Sequence, residues 1–95
     1  MPKIEIENIV SPGHVQRVDA AKYGAVRAAY LSVLPDAAPG LAPSEMLSRM
    51  IPLLPDDLFP GGAKAGWWAK AAQLDLEAKG VIVRAARPPV RLWRA

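Results

Sequence analysis

Cysteine is absent from the 95-residue chain, and histidine occurs once, as His14. Without cysteine the chain has no disulfide framework, no thiolate metal site and no cysteine nucleophile. A single histidine also excludes histidine-rich zinc sites. No segment approaches the ~20 apolar residues that span a bilayer, and the opening MPKIEIENIV lacks the basic and apolar regions of a signal peptide. We therefore expect a cytoplasmic protein with no membrane partner, no metal and no cofactor.

The composition is that of one globular domain, with 52% hydrophobic and 22% charged residues. The net charge of +3 is unevenly distributed. Residues 1–62 carry 5 basic and 7 acidic side chains, whereas residues 63–95 carry 7 basic and 2 acidic ones, so the two parts have charges of −2 and +5. Such asymmetry is typical of a side that faces a polyanion, most commonly nucleic acid. The alternative is a solvated basic face without a partner.

The first half of the chain predicts a strand followed by a helix. Ile4 and Ile6 alternate with charged residues, which indicates a strand or arm over residues 1–12. After a Pro-Gly break, Asp19 is a suitable N-cap because its carboxylate can accept from free amides of a first helical turn. Apolar residues then recur at helical spacing, which predicts helix one over residues 19–34.

The second half predicts two further helices and a hairpin. Helix two covers residues 43–54 and should be kinked or ended near Pro52, because proline removes a backbone hydrogen bond. A proline-rich connector leads to helix three, residues 63–79, which ends at a glycine able to take the left-handed conformation. Two β-rich runs around a proline-containing turn predict a hairpin over residues 81–94. We expect the N-terminal arm to pair with this hairpin, either within the chain or across a homodimer.

The order of these elements is that of a winged helix-turn-helix domain, a mainly α fold with a small β component. In this order an isolated apolar residue, Leu41, lies between helices one and two. The block LPDDLFPGGAKAGWWAK, residues 54–70, resembles a family of small bacterial proteins of unknown function. The resemblance covers nearly the whole chain. It implies a winged-helix-like fold and no particular activity.

Helix three presents two apolar rows on nearly opposite sides, so most of its surface should be buried. Trp67 belongs to one row and is predicted to lie in the core. The expected exposed stripe consists of Gly66, Lys70, Gln73 and Glu77. Lysine and glutamine can contact base edges and phosphates, and glycine permits a close approach. A stripe that is merely solvated would have the same pattern.

Other basic residues could contact phosphates as well. The segment Gly61–Lys64 can present free amides and a cation to an anion at the start of helix three, or can simply form a tight turn. The hairpin arginines Arg84, Arg87, Arg91 and Arg94 fit a hairpin that grips the DNA backbone or minor groove. They also fit an ordinary solvated edge strand.

Helix three contains one acidic residue on the side of Trp68, Asp75. This side should be closed because a tryptophan buries a large area. We therefore expect Asp75 to be partly buried and paired with Lys79, one turn later in the same helix.

Nothing in the sequence indicates an enzyme or a small-molecule substrate. The pair Asp56-Asp57 lies in a proline-rich turn without a histidine, serine or metal-ligand partner at a diagnostic spacing. The sequence predicts a DNA-binding module that uses helix three and the basic hairpin, mainly for phosphate contacts. The predicted contact residues are Lys64, Gly66, Lys70, Gln73, Arg84, Arg87, Arg91 and Arg94.

An alternative is a protein-interaction or assembly module that kept the winged-helix scaffold without DNA binding. Its contact surface would be the N-terminal strand or the apolar connector. The connector between helices two and three has about ten residues, whereas tight DNA-reading motifs use three or four, and this length favours the alternative.

Overall fold

Three α-helices and two antiparallel strand pairs make up the computed structural model, which describes residues 2–95. In chain order the elements are β1 (Lys3–Ile6), β2 (Gln16–Asp19), α1 (Ala20–Val33), α2 (Pro43–Met50), α3 (Ala65–Ala78), β3 (Ile82–Arg84) and β4 (Leu92–Arg94). Short 3-10 turns cover Ile51–Leu53 and Pro60–Gly62. None of the helices within residues 2–95 is long and apolar enough to cross a membrane.

The N-terminal arm forms an antiparallel pair with the strand that follows it in sequence. β1 pairs with β2, so that Lys3 lies opposite Asp19 and Ile6 opposite Gln16. The prediction that the arm pairs with the C-terminal hairpin of the same chain is therefore wrong. β2 has no clear strand pattern in the sequence, because its four residues contain only one apolar side chain, Val18. We call β1, β2 and the loop between them the N-terminal hairpin.

Helix α1 follows β2 directly. The Asp19 carboxylate accepts from the Lys22 amide at 2.9 Å, which confirms Asp19 as the N-cap. The buried face of α1 includes Tyr23, Val26 and Tyr30. The helix spans Ala20–Val33, and the next residue is extended ahead of a proline, which disfavours helical geometry in the residue before it.

Helix α2 is shorter than the predicted helix two. It ends at Met50, two residues before Pro52, and the backbone continues as the 3-10 turn. The connector that follows is anchored in the core by Phe59, which is 2% exposed and packs edge-to-face on Trp68. Helix α3 begins at Ala65 rather than at residue 63, because Lys64 adopts a left-handed backbone conformation.

The C-terminal hairpin consists of β3, β4 and residues 85–91 between them. Leu41 adds a one-residue third strand: its amide donates to the Leu92 carbonyl at 3.0 Å, and the Leu92 amide donates back at 2.9 Å. Gly40 makes this approach possible, because it has a φ of +76° and a Cβ there would overlap the Leu92 carbonyl. Gly80, which lies between α3 and β3, ends α3 as the sequence predicts and has a φ of +74°.

A buried carboxylate joins three of these elements. Asp75 of α3 is fully buried and accepts from the Glu7 amide just after β1 at 2.8 Å. It also accepts from the Tyr23 hydroxyl of α1 and forms an ion pair with Lys79 at 2.8 Å. The predicted burial of Asp75 and its pairing with Lys79 are both confirmed. The two long-range contacts hold the N-terminal hairpin and α1 against α3.

Replacing this carboxylate should destabilise the fold. We expect Asp75→Asn to lower the free energy of unfolding by about 2–3 kcal/mol, because a buried charged acceptor is lost and its donors are left poorly paired. Urea denaturation measures this difference. Asp57→Asn is the matched control, since Asp57 is exposed in the connector. Equal midpoints for the two variants would show that the Asp75 contacts are not structural.

Both tyrosines of the chain resist deprotonation. Burial raises the pKa of Tyr23, and its hydrogen bond to Asp75 raises it further. Burial also raises the pKa of Tyr30, with a contribution from the negative charge of Glu77. The folded chain therefore holds two protons that the unfolded chain releases above the ordinary tyrosine pKa of 10.0.

Stability should consequently fall at alkaline pH. Below pH 10 both states keep the tyrosine protons, whereas above it only the unfolded state loses them, so the free energy of unfolding declines by about 2.7 kcal/mol per pH unit. Tyrosinate absorbance and circular dichroism should change together in one transition. Tyrosinate that appears around pH 10 while the circular dichroism stays constant would contradict the burial of the tyrosines.

Candidate functional site

The exposed part of α3 is its first half. Gly66, Trp67 and Lys70 are exposed, whereas Gln73 and Glu77 are buried, with exposed fractions of 2% and 9%. The predicted stripe is therefore correct at Gly66 and Lys70 and wrong at Gln73 and Glu77. The C-terminal hairpin accounts for the difference, because it folds back over the second half of α3.

Glu77 and Arg84 make the contact that holds this hairpin. The Arg84 guanidinium donates twice to the Glu77 carboxylate, at 2.7 and 2.9 Å. The same carboxylate accepts from the Gln73 amide at 3.1 Å. The bonds to Glu77 raise the pKa of Arg84 above its ordinary value. Arg84 and Gln73 thus serve the fold, and the predicted contact of Gln73 with nucleic acid is not available in this structure.

Two more hairpin arginines have partners within the chain. Arg94 contacts Asp36 at 3.1 Å and donates to the Leu31 carbonyl at 2.7 Å, which ties β4 to the end of α1. Arg91 contacts Glu45 of α2 at 3.5 Å, and the two side chains are 41% and 45% exposed. Arg91 therefore has a weak solvent-exposed ion pair, whereas the Arg84 side chain is held in place by two hydrogen bonds to Glu77.

Three of the predicted cations make no ion pair within residues 2–95. They are Lys64, Lys70 and Arg87, and all three are exposed. Lys64 stands at the start of α3, where no side chain caps the helix and no acidic residue occupies the first turn. Its charge adds to the positive end of the helix dipole, an arrangement that favours an anion.

The first turn of α2 lies between two of the basic residues. Lys70 lines a cleft together with Pro43 and Ser44, and Arg91 approaches Glu45 of the same turn. Ala42 at the N-cap offers no side-chain acceptor to the amides of this turn. We call Lys70, Arg91 and residues 43–45 the basic face. Arg87 lies on the adjoining loop of the C-terminal hairpin.

On another side of α3, Trp67 is 50% exposed, so its predicted core position is wrong. Trp68 takes the core position instead, at 8% exposure. Adjacent helical residues point about 100° apart, so only one of the two can enter the core, and Phe59 packs on Trp68. Trp67 lines a cleft of about 150 Å³ together with His14 and Lys70. The preference of Phe59 for one tryptophan could not be deduced from spacing.

One of the remaining candidates for chemistry, Asp56, has a structural contact. The Asp56 carboxylate accepts from the Gly61 amide at 3.1 Å and so shapes the turn before α3. Across the part of the chain that the structure describes, no group of three or more histidine or acidic residues is arranged to hold a metal ion.

Fold and site together define a small mixed α/β protein with three helices, two antiparallel strand pairs and a basic face beside α2. Residues 3–92 match the model of a protein family described as a family of unknown function, DUF6958. The chain belongs to that family. No curated protein and no solved structure matches the chain.

Proposed function

We propose that this protein is a winged-helix domain that binds DNA through the phosphate backbone without reading the base sequence. The one-residue strand at Leu41, paired with β4 of the C-terminal hairpin, supports the winged-helix interpretation. In such domains a helix and a hairpin contact the duplex side by side. The C-terminal hairpin and α3 are adjacent here, joined by the Arg84–Glu77 contact.

The observation that carries the proposal is the convergence of positive groups on the basic face. Lys70 and Arg91 flank the first turn of α2, whose amides have no side-chain cap. Lysine, arginine and the start of a helix all favour phosphate oxygens. An exposed ion pair contributes little to stability, so Arg91 can exchange Glu45 for a phosphate at small cost.

The same geometry argues against sequence recognition. Base reading requires side chains that reach the edges of bases in a groove. With Gln73 buried, the exposed stripe of α3 offers only Gly66 and Lys70. Phosphate contacts from Lys70, Arg87 and Arg91 would give affinity and no discrimination between sequences. Lys64 adds a fourth cation at the start of α3.

Binding to random duplex DNA should depend steeply on salt. Neutralising three or four phosphates gives a slope of log affinity against log salt of about −2.7 to −3.6. The triple variant Lys70→Ala, Arg87→Ala, Arg91→Ala should lose most of this slope and bind weakly. Fluorescence anisotropy with a labelled duplex at several salt concentrations measures both quantities.

A charge-matched control distinguishes the contribution of the basic face to DNA affinity from the contribution of the protein's net charge. The triple variant Lys3→Ala, Arg17→Ala, Arg27→Ala removes the same charge from the N-terminal hairpin and α1 and should keep most of the slope. If both triple variants lose affinity equally, the attraction is general and the basic face is not a site. If the parent protein binds no duplex at low salt, DNA binding is excluded.

A second candidate function is self-assembly, and the exposure of Trp67 favours it. Tryptophan is among the residues that contribute most at protein interfaces, and Trp67 is 50% exposed. The adjacent cleft of about 150 Å³ could accept a side chain from a second copy. Exposed apolar residues on the N-terminal hairpin, Ile9, Val10 and Val15, could extend such an interface.

Sedimentation equilibrium tests this alternative. If the Trp67 surface joins two copies, the parent should form dimers and Trp67→Ala should be monomeric while keeping its helical circular dichroism. A parent protein that is monomeric at all concentrations tested, or a Trp67→Ala variant that dimerises equally well, would remove self-assembly through this surface.

A further inference from the structure

The cleft beside Trp67 lies between the N-terminal hairpin and α3. Its volume is about 150 Å³, and the apolar part of its lining is Ile6, Trp67, Ala71 and Leu74. Since an apolar cavity of ~150 Å³ accommodates benzene, this space suits one flat aromatic ring. Trp67 is 50% exposed, so a ligand can reach its side chain.

Both walls of this cleft are held by contacts with the core of the protein. On one wall, the Trp67 ring packs edge-to-face with buried Trp68, with 5.1 Å between the ring centroids and 81° between the ring planes. On the other wall, the Glu7 amide donates to the buried carboxylate of α3 at 2.8 Å, and the Ile9 amide donates to the Leu74 carbonyl at 3.3 Å. The cleft is therefore formed before a ligand arrives, which lowers the ordering cost of binding.

The polar lining of the cleft suits a nucleic-acid base better than an apolar side chain of a partner protein. Asn8, His14 and Gln16 of the N-terminal hairpin line the cleft, and these residue types can donate and accept hydrogen bonds, as the edge of a base does. Glu7 and Lys70 add charges of both signs. The cores of protein interfaces are depleted in charged residues. The lining therefore favours an aromatic ring with a polar edge.

Lys70 connects this cleft with the basic face. It lies three residues after Trp67, on the same side of α3, and lines both this cleft and the one beside α2. It makes no ion pair within residues 2–95. In a nucleotide one sugar joins the base to the phosphate, so a base at Trp67 leaves its phosphate within reach of Lys70. Because Glu7 repels a phosphate, the cleft accepts the base and the phosphate stays outside.

We propose that this cleft takes one unpaired base of single-stranded DNA, stacked on Trp67, while the adjoining phosphate lies at Lys70. The inference rests on the proposed phosphate contacts of the basic face and extends them to a strand whose bases are free. In a duplex the bases are paired and stacked on one another, so none of them enters the cleft. Stacking on an aromatic side chain tolerates any sequence, because every base has a π face, and so agrees with binding that reads no bases.

Two labelled strands of equal length and charge test the base contact by fluorescence anisotropy with the full chain. One is oligothymidylate, and the other is an abasic strand with the same sugar-phosphate backbone. The parent should bind oligothymidylate about five- to hundredfold more tightly, because only this strand has a base to stack. Trp67→Ala should remove the difference and leave the affinities for the abasic strand and for duplex DNA unchanged. Trp67→Phe should keep part of the difference, because a phenyl ring also stacks.

Leu53→Ala is the matched control, because Leu53 is also 50% exposed and lies outside the cleft, and it should change neither affinity. If Trp67→Ala loses its helical circular dichroism, Trp67→Leu replaces it, since leucine keeps an apolar side chain without a ring. Equal affinities of the parent for the two strands would overturn base stacking and leave the phosphate contacts standing, whereas binding of neither strand at low salt would overturn both. An equal loss of both strands in Trp67→Ala, together with a change from dimer to monomer in sedimentation, would assign Trp67 to self-assembly and overturn the stacking.

Discussion

The structure depends on the need of one buried carboxylate for hydrogen-bond donors. Asp75 has no access to water, so its charge must be met by the protein. Donors come from three places that are far apart in sequence: the Glu7 amide after β1, the Tyr23 hydroxyl on α1, and Lys79 at the end of α3. Because all of them must reach the same two oxygens, the N-terminal hairpin, α1 and α3 have little freedom relative to one another.

A second carboxylate on α3 holds the other hairpin. Glu77 is two residues after Asp75, and residues so spaced lie on nearly opposite sides of a helix. Asp75 fixes the N-terminal hairpin on one side, and Glu77 binds Arg84 of the C-terminal hairpin on the other. The second half of α3 is therefore enclosed, and the exposed residues of the helix, such as Gly66 and Lys70, lie in its first half. Any function of α3 must use that half.

The parts of the fold that were predictable depend on local chemistry. Asp19 caps α1 and Gly80 ends α3 because a few neighbouring backbone atoms require those residue types. The pairing of Asp75 with Lys79 was predictable for the same reason, since one helical turn separates them. Leu41, alone between two helices, was also a usable signal for the small strand beside the C-terminal hairpin.

The features that the sequence did not predict are set by tertiary contacts. β2 has too few apolar residues to show an alternating pattern, and it exists because the chain returns to β1 after the turn. The spacing of Gln73 is that of a solvated residue, but its amide is buried and donates to the Glu77 carboxylate that also binds Arg84. The choice between Trp67 and Trp68 depends on where Phe59 packs. The candidate site was consequently predicted in part: its cations are on the surface, but half of the proposed residues have partners within the chain.

Hydrogen exchange at the Glu7 amide is the most direct test of this account. If Asp75 holds the N-terminal hairpin on α3, this amide should exchange nearly as slowly as the core amides of α3, and Asp75→Asn should make it exchange much faster. An amide that exchanges in the parent protein at the rate of a free loop would contradict the account. The N-terminal hairpin would then be detached, and the second half of α3 would be open to partners.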